Sequence, residues 1–163
     1  MILVFSGTPG TGKTTLSKEL AKKNKWKYID VNKIIDKFDL IEKYDMDRDT
    51  FVVNEKKLGK VLVEIIKKEK NLVIDSHMAH YIPKKYVDMV FVTKCDLRML
   101  KKRLTFRKYK AKKIRENMDA EIFDICLNES IELGHKVVVL DTTRDSLKKL
   151  MKLVEDAISK NKG

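Results

Sequence analysis

Ile2-Leu3-Val4-Phe5-Ser6-Gly7-Thr8-Pro9-Gly10-Thr11-Gly12-Lys13-Thr14 is the stretch that decides the fold. Residues 2–6 read as a short apolar run, the pattern of a strand buried on both faces in a parallel sheet. Gly7-x-x-x-x-Gly12-Lys13-Thr14 follows at once and matches the phosphate-loop pattern G-x4-G-K-[ST] in full. A helix predicted over residues 14–23 comes directly behind it, with Leu16, Leu20 and Ala21 on one face. Strand, loop and helix in that order are the context in which such a match carries meaning. The glycines let the backbone turn its N–H groups inward around phosphate oxygens, and the helix amino end adds its positive dipole. Lys13 can span the β- and γ-phosphates, and Thr14 offers a hydroxyl to Mg²⁺. Gly10, Gly12, Lys13, Thr14 and Thr15 are therefore the predicted triphosphate-binding residues. The loop defines a P-loop phosphotransferase.

Outward from this loop, apolar runs alternate with helical spacing. That arrangement fits a parallel sheet covered by helices on both faces. Residues 26–29, Leu72-Val73-Ile74-Asp75, 87–93 and 136–140 read as four further strands. Leu58, Val61, Leu62, Ile65 and Ile66 share one helical face. Further helices are predicted over 97–104 and from about 112 to 133, with Gly134 as the stop. Leu147, Leu150, Met151, Val154 and Ile158 form the stripe of a closing amphipathic helix. The expectation is a single α/β domain over residues 1–163, a P-loop NTPase with a five-stranded parallel sheet. Two polar stretches interrupt the scheme, 30–55 and the basic run 106–113. Ligands in an open α/β sheet sit at the carboxyl ends of the strands, so insertions there are candidates for substrate covers.

Composition narrows the class. Apolar residues make up 43% of the chain, too many for a disordered one. No run approaches the roughly 18 apolar residues of a membrane span, and residues 1–5 lack the basic start and cleavage site of a signal peptide. A soluble protein without membrane partners is expected. Cys95 and Cys126 are the two cysteines, which fits a reducing cytoplasm better than a disulfide framework. The net charge of +12 suits a protein that meets anions. Most of it reads as a Lys/Glu-rich solvated surface. The absence of Gln and the abundance of Ile and Lys point to a thermophile.

Two further clusters carry chemistry. Asp75 ends its strand, the position of the acid that orders Mg²⁺ through water beside a phosphate loop. His77 lies two residues on and can position a water, relay a proton or hydrogen-bond a phosphate. His77 and His80 have the look of a metal pair, but nothing else in the sequence completes such a site. Arg103 and Arg107 are four apart on one helix face, where two guanidinium groups can grip polyphosphate oxygens and neutralise transition-state charge. Thr142, Thr143 and Arg144 follow the last strand, where the nucleotide base commonly packs. Lys108, Lys110, Lys112, Lys113 and Arg115 read as a general positive field.

These residues together resemble the adenylate kinase isoenzyme 6 family, small nucleoside monophosphate kinases of archaea and eukaryotes. Four blocks carry the resemblance: residues 7–16 with Lys18-Glu19-Leu20-Ala21; Val73-Ile74-Asp75-Ser76-His77 with its Asp-x-His signature; Val90-Phe91-Val92 with Leu100 to Tyr109; and residues 116–123. It implies a core, a monophosphate-binding insertion at about 30–53 and a short lid at about 106–116. It also implies that Arg107 is an ATP-contacting lid arginine. Arg48 is the only arginine of the insertion, beside Lys33, Lys37 and Lys43, and is the candidate for the acceptor phosphate. Familiar adenylate kinases use several arginines there, so the choice of base stays open.

The activity implied is transfer of the γ-phosphoryl group of MgATP to a nucleoside monophosphate, AMP favoured. Lys13, Asp75, His77 and Arg107 would be catalytic, and Thr14 and Asp75 would hold Mg²⁺ through water. Three alternatives stand beside it. Asp30-Val31-Asn32 is faintly similar to the acidic acceptor motif of shikimate kinases, although 72–77 contains no glycine. Eukaryotic members of the family are nuclear and linked to small-subunit ribosome assembly, which implies an ATPase with a ribosomal protein or rRNA as partner. The basic run 107–115 with Tyr109 also suits an RNA-binding module.

Overall fold

The computed structural model describes residues 1–162. β1 (Ile2–Ser6), β2 (Lys27–Asp30), β5 (Leu72–Asp75), β6 (Met89–Lys94) and β7 (Val137–Asp141) form one sheet in the order β2-β5-β1-β6-β7. Every pairing in it is parallel. The chain leaves central β1, crosses to the β2 edge and returns through β5. It then passes to the other side of β1. The loop after β1 therefore stands at the point where the strand order reverses, which is where such sheets bind ligands.

Strand alternation sends side chains to two separate cores. Leu3, Phe5, Val73, Met89, Phe91 and Leu140 face α1 (Lys13–Asn24) and α7 (Leu147–Lys162). Ile2, Val4, Ile29, Leu72, Ile74, Val90 and Val92 face the other way. They pack against α2 (Val31–Lys37), α3 (Glu55–Lys67) and α6 (Ile125–Glu132). The sheet is sandwiched as the sequence predicts. Among the described residues no helix is long and apolar enough to cross a membrane.

Two features differ from the sequence expectation. The insertion is a folded unit: α2, capped by the Asp30 side chain on Asn32 N, leads into an antiparallel hairpin of β3 (Ile41–Asp45) and β4 (Thr50–Val53). The expected long helix at 112–133 is two helices, α5 (Ala111–Ile122) and α6. Asp124 adopts φ 52° between them, and its carboxylate pairs with Lys94 on β6. This break lets α6 lie on the sheet while α5 turns to α4 (Leu97–Phe106), and it uses neither Gly nor Pro. Leu100 and Leu104 of α4 bury a small third core with Cys95, Tyr109, Ile114 and Met118. Gly134 ends α6 at φ 78°, with Gly134 N–H bonded to Ile131 O and His135 N–H to Ser130 O. Those are the two bonds of a Schellman stop.

Candidate active site

A cavity of about 630 Å³ opens at the carboxyl ends of the strands. Its floor is the phosphate loop. Gly7 sits at φ 131°, and a Cβ there would lie 2.4 Å from the Thr93 carbonyl oxygen, so no side chain fits. Gly12 precedes α1 at φ 98° and caps it without a side chain, which leaves the first-turn N–H groups facing the loop. Thr11 braces the loop from below, its hydroxyl 2.7 Å from both Thr8 O and Thr93 Oγ1.

Lys13 is buried and donates from Nζ to Gly7 O at 2.6 Å and Thr8 O at 3.0 Å. Burial pulls its ammonium down to about 8, Arg107 pushes the same way and Asp75 opposes them. Thr14 and Thr15 line the cavity beside it. Asp75 is buried at the end of β5, and Tyr28 on neighbouring β2 donates its hydroxyl to Asp75 Oδ2 at 2.9 Å. Burial first, then the Asp75 charge and this bond, raise the Tyr28 pKa, so the phenol stays a donor. Nothing in the sequence marked Tyr28; its register opposite Val73, two residues short of Asp75, puts it on the same face of the sheet as Asp75. A hydroxyl (Thr14) and a carboxylate (Asp75) sharing one cavity form the hard-oxygen donor set that suits Mg²⁺.

His77 lines the cavity and is exposed to it. The protein packed around that wall, with the Lys13 charge and then His80 adding to it, pushes its pKa down, so the ring is neutral at pH 7. His80 has a different place altogether. It is fully buried, with Nδ1 2.9 Å from Ser6 Oγ and Nε2 2.8 Å from Glu129 Oε2. Tyr81 donates to the same Glu129 oxygen at 3.1 Å. This line ties the root of the phosphate loop to the far cavity wall. Only the packing of α6 on the sheet brings Glu129 there.

Arg103 of α4 and Arg107, the residue that caps its carboxyl end, part company. Arg107 lines the cavity. Arg103 turns beneath the loop, donating from Nη1 to Gly10 O at 3.0 Å and to Thr142 Oγ1 at 3.3 Å. Thr142 in turn donates to Thr11 O at 2.7 Å. In this arrangement Arg103 and Thr142 buttress the loop from outside the cavity. The opposite wall comes from the insertion, through Asp30, Asn32, Arg48 and Thr50. Tyr109 and Lys113, from the segment expected to be the lid, complete the rim. Gly10, Gly12, Lys13, Thr14, Thr15, Arg48, Asp75, His77 and Arg107 thus meet at one cavity, whereas Arg103, Thr142, Thr143 and Arg144 are not in its lining.

The fold is that of the P-loop kinases, with the phosphate loop on one side of the cavity and the insertion on the other. A family model described as "AAA domain" matches residues 3–124. The curated "Putative adenylate kinase" of Methanocaldococcus jannaschii is 38% identical, aligned over 99% of this chain and 88% of its own length. The "Adenylate kinase isoenzyme 6 homolog" of Dictyostelium discoideum is 29% identical over 89% of this chain and 82% of its own. The chain belongs to this adenylate kinase isoenzyme 6 family and is a nucleoside monophosphate kinase. A crystal structure of shikimate kinase from Bacteroides thetaiotaomicron has the same fold, with TM-score 0.66 at 17% identity and 98% of both chains covered.

Proposed function

We propose that the protein transfers the γ-phosphoryl group of MgATP to AMP, giving two ADP. The observation that carries this reading is the two-walled cavity. Lys13, Thr14, Thr15 and Asp75 stand at its loop side and the insertion stands opposite, with Arg107 at the rim. The names borne by the relatives support adenylate as the acceptor. An acceptor phosphate oxygen attacks the γ-phosphorus, the bond to the β–γ bridging oxygen breaks, and ADP leaves with that electron pair. Lys13 and Arg107 stabilise charge as it shifts toward the leaving group. Neutral His77 acts as a hydrogen-bonding group on a phosphate or water and not as a cation. Thr14 and Asp75 would hold Mg²⁺ through water, and the ion would neutralise phosphate charge. Arg48 is the acceptor-phosphate residue of the insertion, and Arg103 contributes to ATP binding by holding Gly10. A cytoplasmic setting and a thermophilic source accord with two unpaired cysteines and the Lys/Glu-rich surface.

The test is an acceptor panel. Purified protein is given MgATP alone, then with AMP, dAMP, CMP, UMP, GMP and shikimate in turn. AMP should give ADP well above the ATP-only rate. Lys13→Ala should lower transfer by at least about 2 kcal/mol, roughly thirtyfold. Near-normal turnover of that variant would sink the mechanism. Steady hydrolysis without acceptor dependence would favour an ATPase that serves ribosome assembly through a ribosomal protein or rRNA.

A further inference from the structure

A hydrogen bond and an ion pair join insertion and lid across the cavity mouth, and both use Asp49. Asp49 lies between β3 and β4 at φ 51°. Its carboxylate accepts the Tyr44 hydroxyl of its own hairpin and stands 3.4 Å from the Lys110 ammonium of the lid. Its main-chain oxygen accepts from Lys113 Nζ at 3.0 Å. Lys113 lies over the Tyr109 ring, 4.6 Å from its centre. Lys110 and Lys113 are three apart at the start of α5, so one turn residue engages both. Arg48 and Thr50, its two neighbours, line the cavity from the hairpin side, and Arg107, Tyr109 and Lys113 line it from the lid side. The Tyr44 hydroxyl first, then Lys110, keeps the Asp49 carboxyl below its ordinary range, so it is ionised at neutral pH.

We propose that Asp49 is a positioning residue that clasps the acceptor-side hairpin to the lid and so directs the phosphoryl group to the monophosphate instead of to water. The inference rests on the kinase reading above. Both outcomes break the bond between the γ-phosphorus and the bridging oxygen and release ADP. In transfer the new bond is to an acceptor phosphate oxygen. In the leak it is to water, whose proton passes to solvent as inorganic phosphate leaves. Closed jaws exclude that water. An exposed ion pair contributes little stability, so the clasp can open on each turnover.

Lys110→Glu is the cleaner probe, because Lys110 lies outside the cavity lining and the Tyr44–Asp49 bond is kept. Two quantities are measured: inorganic phosphate released per AMP phosphorylated, and hydrogen exchange in residues 44–51 and 107–116. The ratio should rise about fivefold, the reach of an exposed pair. KM for AMP should rise more than kcat falls, and both segments should exchange faster. Asp49→Lys should behave alike, and Asp49→Lys combined with Lys110→Glu should recover most of the loss. Wild-type ratio and exchange in Lys110→Glu would overturn the clasp, as would a double variant no better than Asp49→Lys. Exchange needs no turnover. If the wild type phosphorylates no AMP, the kinase reading falls, and exchange still decides whether the clasp exists.

Discussion

Lys13 is charged, buried and bonded to two carbonyls of its own loop, and these facts set its pH behaviour. Its folded-state pKa of about 8 lies below the ordinary 10.5. Below about pH 8 the ammonium is protonated in both folded and unfolded chains, and the penalty of burying it is fully present. Between about 8 and 10.5 the folded chain sheds the proton first, so this residue's contribution to stability rises with pH in that window. Activity runs the other way, since phosphate needs the cation. We expect kcat/KM for MgATP to fall above about pH 8, because it reports the free enzyme. The break in kcat should come later, because bound phosphates favour the ammonium. A flat kcat/KM profile to pH 9.5 would contradict this account of Lys13. Tyr28 offers a second check at this scale. Tyr28→Phe removes the donor that holds Asp75 Oδ2. Half-maximal activation should then need about tenfold more Mg²⁺, the usual effect of losing such a supporting bond. Unchanged Mg²⁺ dependence would mean that Tyr28 serves packing alone.

At the scale of elements, the lid hangs on a small core of its own. Leu104 is fully buried there, and a Cβ on Gly10 would lie 3.1 Å from it, so it supports the loop as well as the lid. Leu104→Ala should lower unfolding free energy by about 2–5 kcal/mol, measured by denaturant titration, and raise KM for ATP. A loss below about 1 kcal/mol would mean that the lid is stabilised elsewhere. The strands around this region were legible in the sequence because buried parallel strands are nearly continuous apolar runs. The break at Asp124 was not. It is made by a residue in the left-handed region whose partner, Lys94, is thirty positions away, and single-sequence periodicity carries no such information. The hairpin of the insertion was hidden for a related reason. Tyr44 and Phe51 are exposed and pack mainly on each other, so no buried face imprints a two-residue period.

For the molecule as a whole, topology does most of the positioning. The strand order places the loop after β1, Asp75 after β5 and Thr142 after β7 at one end of the sheet. Residues that act in the floor of the cavity were therefore readable from motif and strand position together. Residues that reach the cavity through tertiary packing were not. Glu129 arrives on α6, and Arg103 turns away from the cavity to Gly10, although its spacing from Arg107 suggests a matched pair. We propose that this arrangement moves the γ-phosphoryl group onto AMP. The γ-phosphoryl group of ATP can be labelled and followed in the presence of saturating AMP and Mg²⁺. Label should appear at the β-position of newly formed ADP, dependent on AMP and lost in Lys13→Ala. Label appearing only as inorganic phosphate, at a rate indifferent to AMP, would contradict it.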